Sequence, residues 1–187
     1  DYGEVNLSGA GEGSVEIMTI HKSKGLEFPI VILAGMGKQF NMQDLNARLL
    51  IHPDYGLGAD AILPDRRMIV STLYKQVIRR KLLEETLGEE IRVLYVALTR
   101  AKEKLIMTGT IGNLEKRLLS LYRFRENDQE LLPAETRLNG KTYWDYVLPA
   151  LARHRCMDEL FEEFGLLPSH DNLLYDDPAE FQVKRIT

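Results

Sequence analysis

The sequence predicts an α/β protein, a parallel sheet flanked by helices with a mostly helical C-terminal extension, and three observations carry that reading. Ile30-Val31-Ile32-Leu33 is a short unbroken apolar run, the pattern of a parallel strand covered on both faces. Leu73, Val77, Ile78, Leu82 and Leu83 recur at helical spacing, while Lys75, Arg79, Arg80 and Lys81 take the other faces. Leu105-Ile106-Met107-Thr108 is a second strand-like run, and strand, helix, strand in that order implies a parallel, doubly wound sheet.

Taken from the N-terminus, residues 1–13 are too rich in glycine for regular structure and read as a flexible linker or frayed end. Ser14 to Ile20 alternates with β-branched residues and is expected as a strand, followed by the strand within Pro29 to Ala34. Leu49 to His52 is a further short strand candidate, and the stretches around Asp54-Tyr55-Gly56-Leu57-Gly58 and Pro64-Asp65-Arg66-Arg67 read as turns. Ser71 or Thr72 can cap the long helix, which Gly88 is expected to break. Glu89 and Glu90 then fall in a new first turn, where negative charge is favoured, and Val93, Leu94, Val96 and Ala97 continue a buried stripe. Tyr95 is expected in the core with them. After Gly109, Asn113 to Arg123, Tyr143 to His154 and Met157 to Phe164 read as helices, with loops near Pro133 and Asn139-Gly140 and a closing strand over Phe181 to Thr187. The chain reads as a piece of a longer protein.

Composition narrows the function. With 44% apolar residues in 187, the chain can bury a real core. A formal net charge of −4 excludes a protein that coats nucleic acid with an overall basic surface, yet permits a local phosphate-binding patch. Cys156 stands alone and no Cys/His cluster has zinc spacing, so a reducing compartment, the cytoplasm, is expected. No apolar stretch approaches the roughly 20 residues of a membrane helix.

Two segments crowd charge between apolar runs. The first is Thr19-Ile20-His21-Lys22-Ser23-Lys24-Gly25-Leu26-Glu27-Phe28, expected at the carboxyl end of a strand, where open α/β sheets bind ligands. Lys22 and Lys24 can neutralise phosphate, Gly25 admits backbone amides, and Ser23 adds a hydroxyl donor. Glu27 repels phosphate and suits a sugar hydroxyl or a neighbouring cation instead. The same composition also fits a solvated loop with its lysines in water. The second segment, Glu89 to Lys102, ends in Thr99-Arg100-Ala101-Lys102. Arg92 and Arg100 are about two helical turns apart and can face a common anion, though Arg100 could equally serve the helix end structurally.

Thr19 to Phe28 resembles motif V, and Glu89 to Lys102 resembles motif VI, of superfamily 1 DNA helicases of the UvrD type. Their order and the apolar strand after each agree with that family. Within it, Leu33-Ala34-Gly35-Met36-Gly37-Lys38-Gln39-Phe40-Asn41 and Tyr143-Trp144-Asp145-Tyr146-Val147-Leu148-Pro149-Ala150-Leu151 look most like the AddA component of bacterial AddAB helicase/nucleases. The resemblance implies that residues 14–110 form a second RecA-like motor domain and that 111–187 are a helical extension toward a downstream domain. It implies an ATP-dependent DNA helicase, with a nuclease in the full-length protein, that serves double-strand break repair and recombination. Arg100 falls on the arginine that contacts the γ-phosphate. Lys24 and Gly25 fall on the nucleotide-proximal turn, Glu27 near the ribose, and Arg92 joins the ATP set. Thr19, His21 and Lys22 fall along the path of single-stranded DNA. The implied cofactor is ATP with Mg2+, shared with the first RecA-like domain of the same chain. The implied partners are single- and double-stranded DNA and a second, AddB-type helicase/nuclease component, without a membrane. Lys22 and Ile91 depart from residues frequent in the family.

No Gly-x-x-x-x-Gly-Lys-Ser/Thr phosphate loop occurs, since Gly35-Met36-Gly37-Lys38 lacks its spacing and hydroxyl. Asp176-Asp177 follows no apolar strand and is not read as a magnesium motif. The segment alone is therefore expected not to hydrolyse ATP. Two other readings stay open: a non-catalytic DNA-binding or interaction module of the same fold, and an unrelated α/β phosphate-binding enzyme. Trp144 is read as helix packing or an interdomain contact.

Overall fold

A computed structural model describes residues 14–167 and 172–186. The linker expected over residues 1–13 lies outside them. The architecture is α/β. Strands β1 (Phe28–Leu33) and β5 (Ala101–Met107) form a two-stranded parallel sheet, in register from Ile30 against Lys104 to Leu33 against Met107. Between them in sequence come β2 (Leu49–His52), β3 (Gly56–Leu63) and β4 (Met68–Ser71), a three-stranded antiparallel sheet in the order β2-β3-β4, then helix α1 (Leu73–Leu98).

Helix α1 joins the two sheets. Its first half packs on β2 and β3, with Ile78 and Leu50 buried. β3 comes so close that a Cβ on Gly58 would sit 2.8 Å from the Lys75 Cα, so only glycine fits there. The second half of α1 sends Leu94 and Ala97 into a core shared with Leu33 and Met36 at the end of β1. The Thr72 hydroxyl accepts from the Lys75 amide at 3.2 Å and so caps the helix start as its position suggests.

Several expectations are corrected. Gly88 does not break the helix: α1 runs unbroken for 26 residues, and the roughly 1 kcal/mol cost of one interior glycine cannot outweigh the packing on either side. Lys75 does not face solvent. It is buried, with its ammonium 2.8 Å from Asp60. The turn-rich stretch contains the hairpin β3 and β4, whose tight turn begins at Pro64 and places Arg67 in the left-handed region at φ 48°. Ser14 to Ile20 forms no strand, and Val15 and Ile17 are exposed. Alternation alone cannot hold a strand that has no neighbour to pair with. The same reason applies to residues 181–186, which are irregular. Strand β1 is covered on one face only: Ile30 is 57% and Ile32 61% exposed, because α1 and the helices beyond it lie on the other side. Tyr95, expected in the core, is 68% exposed.

The helical part comprises α2 (Leu114–Tyr122), α3 (Ala134–Leu138), α4 (Trp144–Leu151) and α5 (Asp158–Glu163). Its own core gathers Leu118, Leu121, Phe124, Leu148, Ala152, Met157 and Phe161. Arg125 is fully buried beside it, 2.5 Å from Asp158 and against the faces of Phe161 and Tyr175. Helix α4 belongs to both cores, since Tyr146 is buried with Leu33, Met36, Leu94 and Ala97 while Leu148 is buried with the helical cluster.

Candidate nucleotide and nucleic-acid site

The two charged segments meet at the amino-terminal ends of β1 and β5. The Phe28 amide donates to the Arg100 carbonyl at 2.9 Å, and the Arg100 Nη1 donates to the Leu26 carbonyl at 2.9 Å, across 74 residues of sequence. Helix α1 ends at Leu98, so Arg100 leaves from the turn between helix and strand rather than from the helix face. Its Nε donates back to the Val96 carbonyl at 2.9 Å and its Nη2 to the Thr99 hydroxyl at 3.0 Å. The Thr99 hydroxyl in turn donates to the Tyr95 and Val96 carbonyls at 3.0 and 3.1 Å.

Neutral oxygens thus hold the guanidinium in one orientation. Among the described residues no carboxylate forms an ion pair with it. A guanidinium carries five donors and these contacts engage three of its nitrogens once each, so charge and donor capacity remain for an anion.

The first segment is a single helical turn. The Thr19 hydroxyl accepts from the Lys22 amide at 3.3 Å, Ser23 N donates to the Thr19 and Ile20 carbonyls, and Gly25 ends the turn at φ +83°, a conformation glycine adopts without strain. Ser23 is not a ligand donor here. It is buried, and its hydroxyl donates to the Ile20 carbonyl at 2.7 Å. Thr19, His21, Lys22, Lys24 and Glu27 are exposed around the turn. Glu27 pairs with Lys102 at 3.2 Å, an exposed contact worth about 1 kcal/mol at most.

The structure therefore joins Arg100 to the turn bearing Lys24, Gly25 and Glu27, and leaves Arg92 aside. The Arg92 guanidinium is taken by Glu89, at 2.6 and 2.7 Å, on the exposed side of α1. The two-turn spacing to Arg100 fails to align them because the helix stops short of Arg100. The expectation of a strand's carboxyl end also changes: relative to the parallel pair, the site lies at the amino ends. At the carboxyl ends, α4 covers the loops, with the Trp144 amide donating to the Met36 carbonyl at 3.1 Å. Phe40 and Tyr143, from the two stretches outside motifs V and VI that carry the likeness to AddA, meet there edge to face at 5.1 Å. The reading of Trp144 as a packing or interdomain contact agrees with that joint, but nothing in the sequence pairs it with Met36 or Phe40.

Among the described residues no three His, Cys, Asp or Glu side chains converge as a metal site, and Glu27 is the carboxylate at the turn. Mg2+ does not fit this half of a site, whereas the uncompensated guanidinium and neighbouring lysines fit a polyphosphate. Two open clefts of about 500 and 520 Å³ lie in the helical part and contain none of these residues.

Residues 4–111 match the family model described as UvrD-like helicase C-terminal domain. The chain is 44% identical over 184 residues to the A subunit of the ATP-dependent helicase/nuclease of Clostridium botulinum strain Loch Maree, the match covering 98% of this chain and 14% of that protein. It is 46% identical over 183 residues to the protein of the same name from Clostridium beijerinckii, again with 98% and 14% covered. The chain thus spans 14% of the length of these curated relatives. The likeness read from the two motifs and from the residues beyond them is borne out, and the chain belongs to the family of UvrD-like helicase C-terminal domains.

Proposed function

We propose that this chain is the second motor lobe of an ATP-dependent DNA helicase/nuclease and that Arg100 reaches across a cleft to ATP held by the first lobe. The observation that carries the reading is the state of Arg100: one side of its guanidinium is tied to the Val96 and Leu26 carbonyls while no described carboxylate neutralises its charge. A partly exposed cation with two donors to spare is free to take an anion, and the γ-phosphate is the anion the resemblance implies. When bound, ATP supplies the phosphoryl group that passes to water, and its Mg2+ would be held by the other lobe.

This chain's residues supply charge and position. Arg100 donates to the γ-phosphate oxygens where negative charge builds, Lys24 and the Gly25 backbone approach the phosphates, and Glu27 exchanges Lys102 for a ribose hydroxyl. Arg92 would have to leave Glu89 to join them. On the same turn, Thr19, His21 and Lys22 contact single-stranded DNA, so closure around the nucleotide moves the strand-contacting side of one short segment. Residues 14–110 are the motor lobe and 111–187 lead toward a downstream nuclease domain. The whole enzyme would act with an AddB-type partner on DNA ends in double-strand break repair and recombination in the cytoplasm. Lacking a phosphate loop, the 187-residue chain alone is inactive.

The test is Arg100→Ala in the full-length parent. ATP turnover with DNA present is expected to fall by about 10³ or more, with DNA affinity nearly unchanged. Near-normal turnover would overturn the reading and favour a binding module of the same fold.

A further inference from the structure

At the end of the parallel strands opposite Arg100, α4 is fitted into the motor rather than resting on it. A Cβ on Gly109 would lie 2.5 Å from the Trp144 Nε1, and one on Gly37 would lie 2.5 Å from the Thr110 carbonyl oxygen and 3.4 Å from the Trp144 Cδ1. Gly109 thus makes room for the indole, and Gly37 for the Thr110 backbone beside it. Phe40 is edge-on to Tyr143 at 5.1 Å and stacked with Tyr146 at 6.3 Å, and its amide donates to the Lys141 carbonyl at 2.8 Å.

From this joint one side chain crosses to α1. The Tyr143 hydroxyl donates to the Glu90 Oε2 at 2.7 Å, half-buried. Burial, then the Glu90 bond and charge, raise the phenol well above its ordinary range, so it stays a donor at neutral pH. Among the described residues this is the one side-chain hydrogen bond that leaves the second half of α1 for another element before Arg100 itself. The other outward side-chain bonds of α1, from Tyr74, Lys75, Gln76, Arg79 and Glu85, go to the antiparallel sheet, its turn and the loop before it. Apolar packing is non-directional and lets a helix slide by small amounts, whereas a hydrogen bond at 2.7 Å fixes its setting along the axis. Glu90 precedes the helix end at Leu98 by about 12 Å, a rigid lever on the turn that carries Arg100.

We propose that Tyr143 is a positioning residue for the motor: through Glu90 it sets α1 lengthwise on the sheet and with it the reach of Arg100, so that the helical extension is coupled to ATP turnover. This rests on the function proposed above. It makes the extension part of the engine, and a downstream domain that pulls on α4 would alter hydrolysis through one hydrogen bond.

The experiment uses the full-length parent with Tyr143→Phe, Glu90→Ala, the double variant, Tyr146→Phe and Arg100→Ala. Tyr143→Phe keeps the ring in place and removes only the hydroxyl. It is expected to lower the DNA-stimulated kcat about fivefold with KM for ATP within about twofold, Glu90→Ala to do the same, and the double variant to be no worse than either. Tyr146→Phe keeps the ring in the core and loses a comparable bond, to the Arg137 carbonyl at 3.1 Å, in which α1 takes no part, and its kcat is expected to be unchanged. If Arg100→Ala abolishes turnover while Tyr143→Phe and Glu90→Ala leave kcat intact, the coupling is refuted and the helicase reading survives. Equal losses from Tyr146→Phe would also refute it, as general loosening of α4. Full turnover in Arg100→Ala would sink the parent reading instead. Should one variant fail to fold, the remaining member of the pair still decides.

Discussion

Asp145 shows how one side chain sets the geometry of a joint. Its Oδ2 accepts from the Lys141 amide at 2.8 Å, the Thr142 amide at 2.9 Å and the Thr142 hydroxyl at 3.0 Å, while its Oδ1 takes the Arg117 guanidinium at 2.7 Å. Burial by itself would raise the carboxyl pKa, but these donors outweigh it and hold the group below its ordinary value. A carboxylate with a depressed folded pKa contributes stability above its unfolded pKa, and that contribution is lost as pH falls through the folded value. Asp145→Asn is therefore expected to cost about 1–3 kcal/mol near neutral pH and to flatten the acid limb of stability. Thermal unfolding followed stepwise from about pH 7 into the acid range checks this; an unchanged acid slope in the variant would contradict it. Arg100 is the opposite case, a charge held by neutral oxygens with no described carboxylate paired to it. Its segment was legible from the spacing of Thr99-Arg100-Ala101, but its orientation was not, because the carbonyl that holds it belongs to Leu26.

At the level of elements, local periodicity identified what neighbours did not have to decide. Strands β1 and β5, the start of α1 at Thr72 and helix α2 with its Asn113 cap all follow from apolar spacing and capping residues. The Gly88 break did not follow, since a glycine lowers helix stability without prohibiting it. Nothing lies within 4 Å of a Cβ at Gly88. Gly88→Ala should therefore stabilise the protein by about 0.5–1 kcal/mol, seen as a higher denaturant midpoint at constant slope. A destabilised variant would mean that the helix is not continuous there in solution. The missed hairpin of β3 and β4 has a different cause: Gly56, Gly58 and Pro64 read as turn residues, yet Gly58 sits within a strand because Lys75 of α1 leaves no room for a side chain.

For the molecule as a whole, the boundary expected after residue 110 does not coincide with a boundary of packing. Tyr143, Trp144, Tyr146 and Val147 complete the core formed by Leu33, Met36, Leu94 and Ala97. Removing that cover forfeits about 1.5–3 kcal/mol for each large side chain, a sum comparable to the roughly 5–15 kcal/mol of a typical domain. Residues 14–110 produced alone are thus expected to unfold without a cooperative transition and to bind a hydrophobic dye, whereas 14–167 should melt cooperatively. Calorimetry on the two pieces decides, and a sharp transition in the shorter one would restore the boundary at residue 110.

The sequence by itself determined the family, strands β1 and β5 with the helix between them, and the two charged segments, because those rest on contacts a few residues apart and on motif likeness. Only the tertiary structure decided that the segments meet at the amino ends of the strands, that Arg100 is held by Leu26 while Arg92 is held by Glu89, and that α4 closes the motor's core. Those outcomes depend on which backbone oxygens and which apolar surfaces are brought together from far along the chain, and side-chain periodicity carries no record of that.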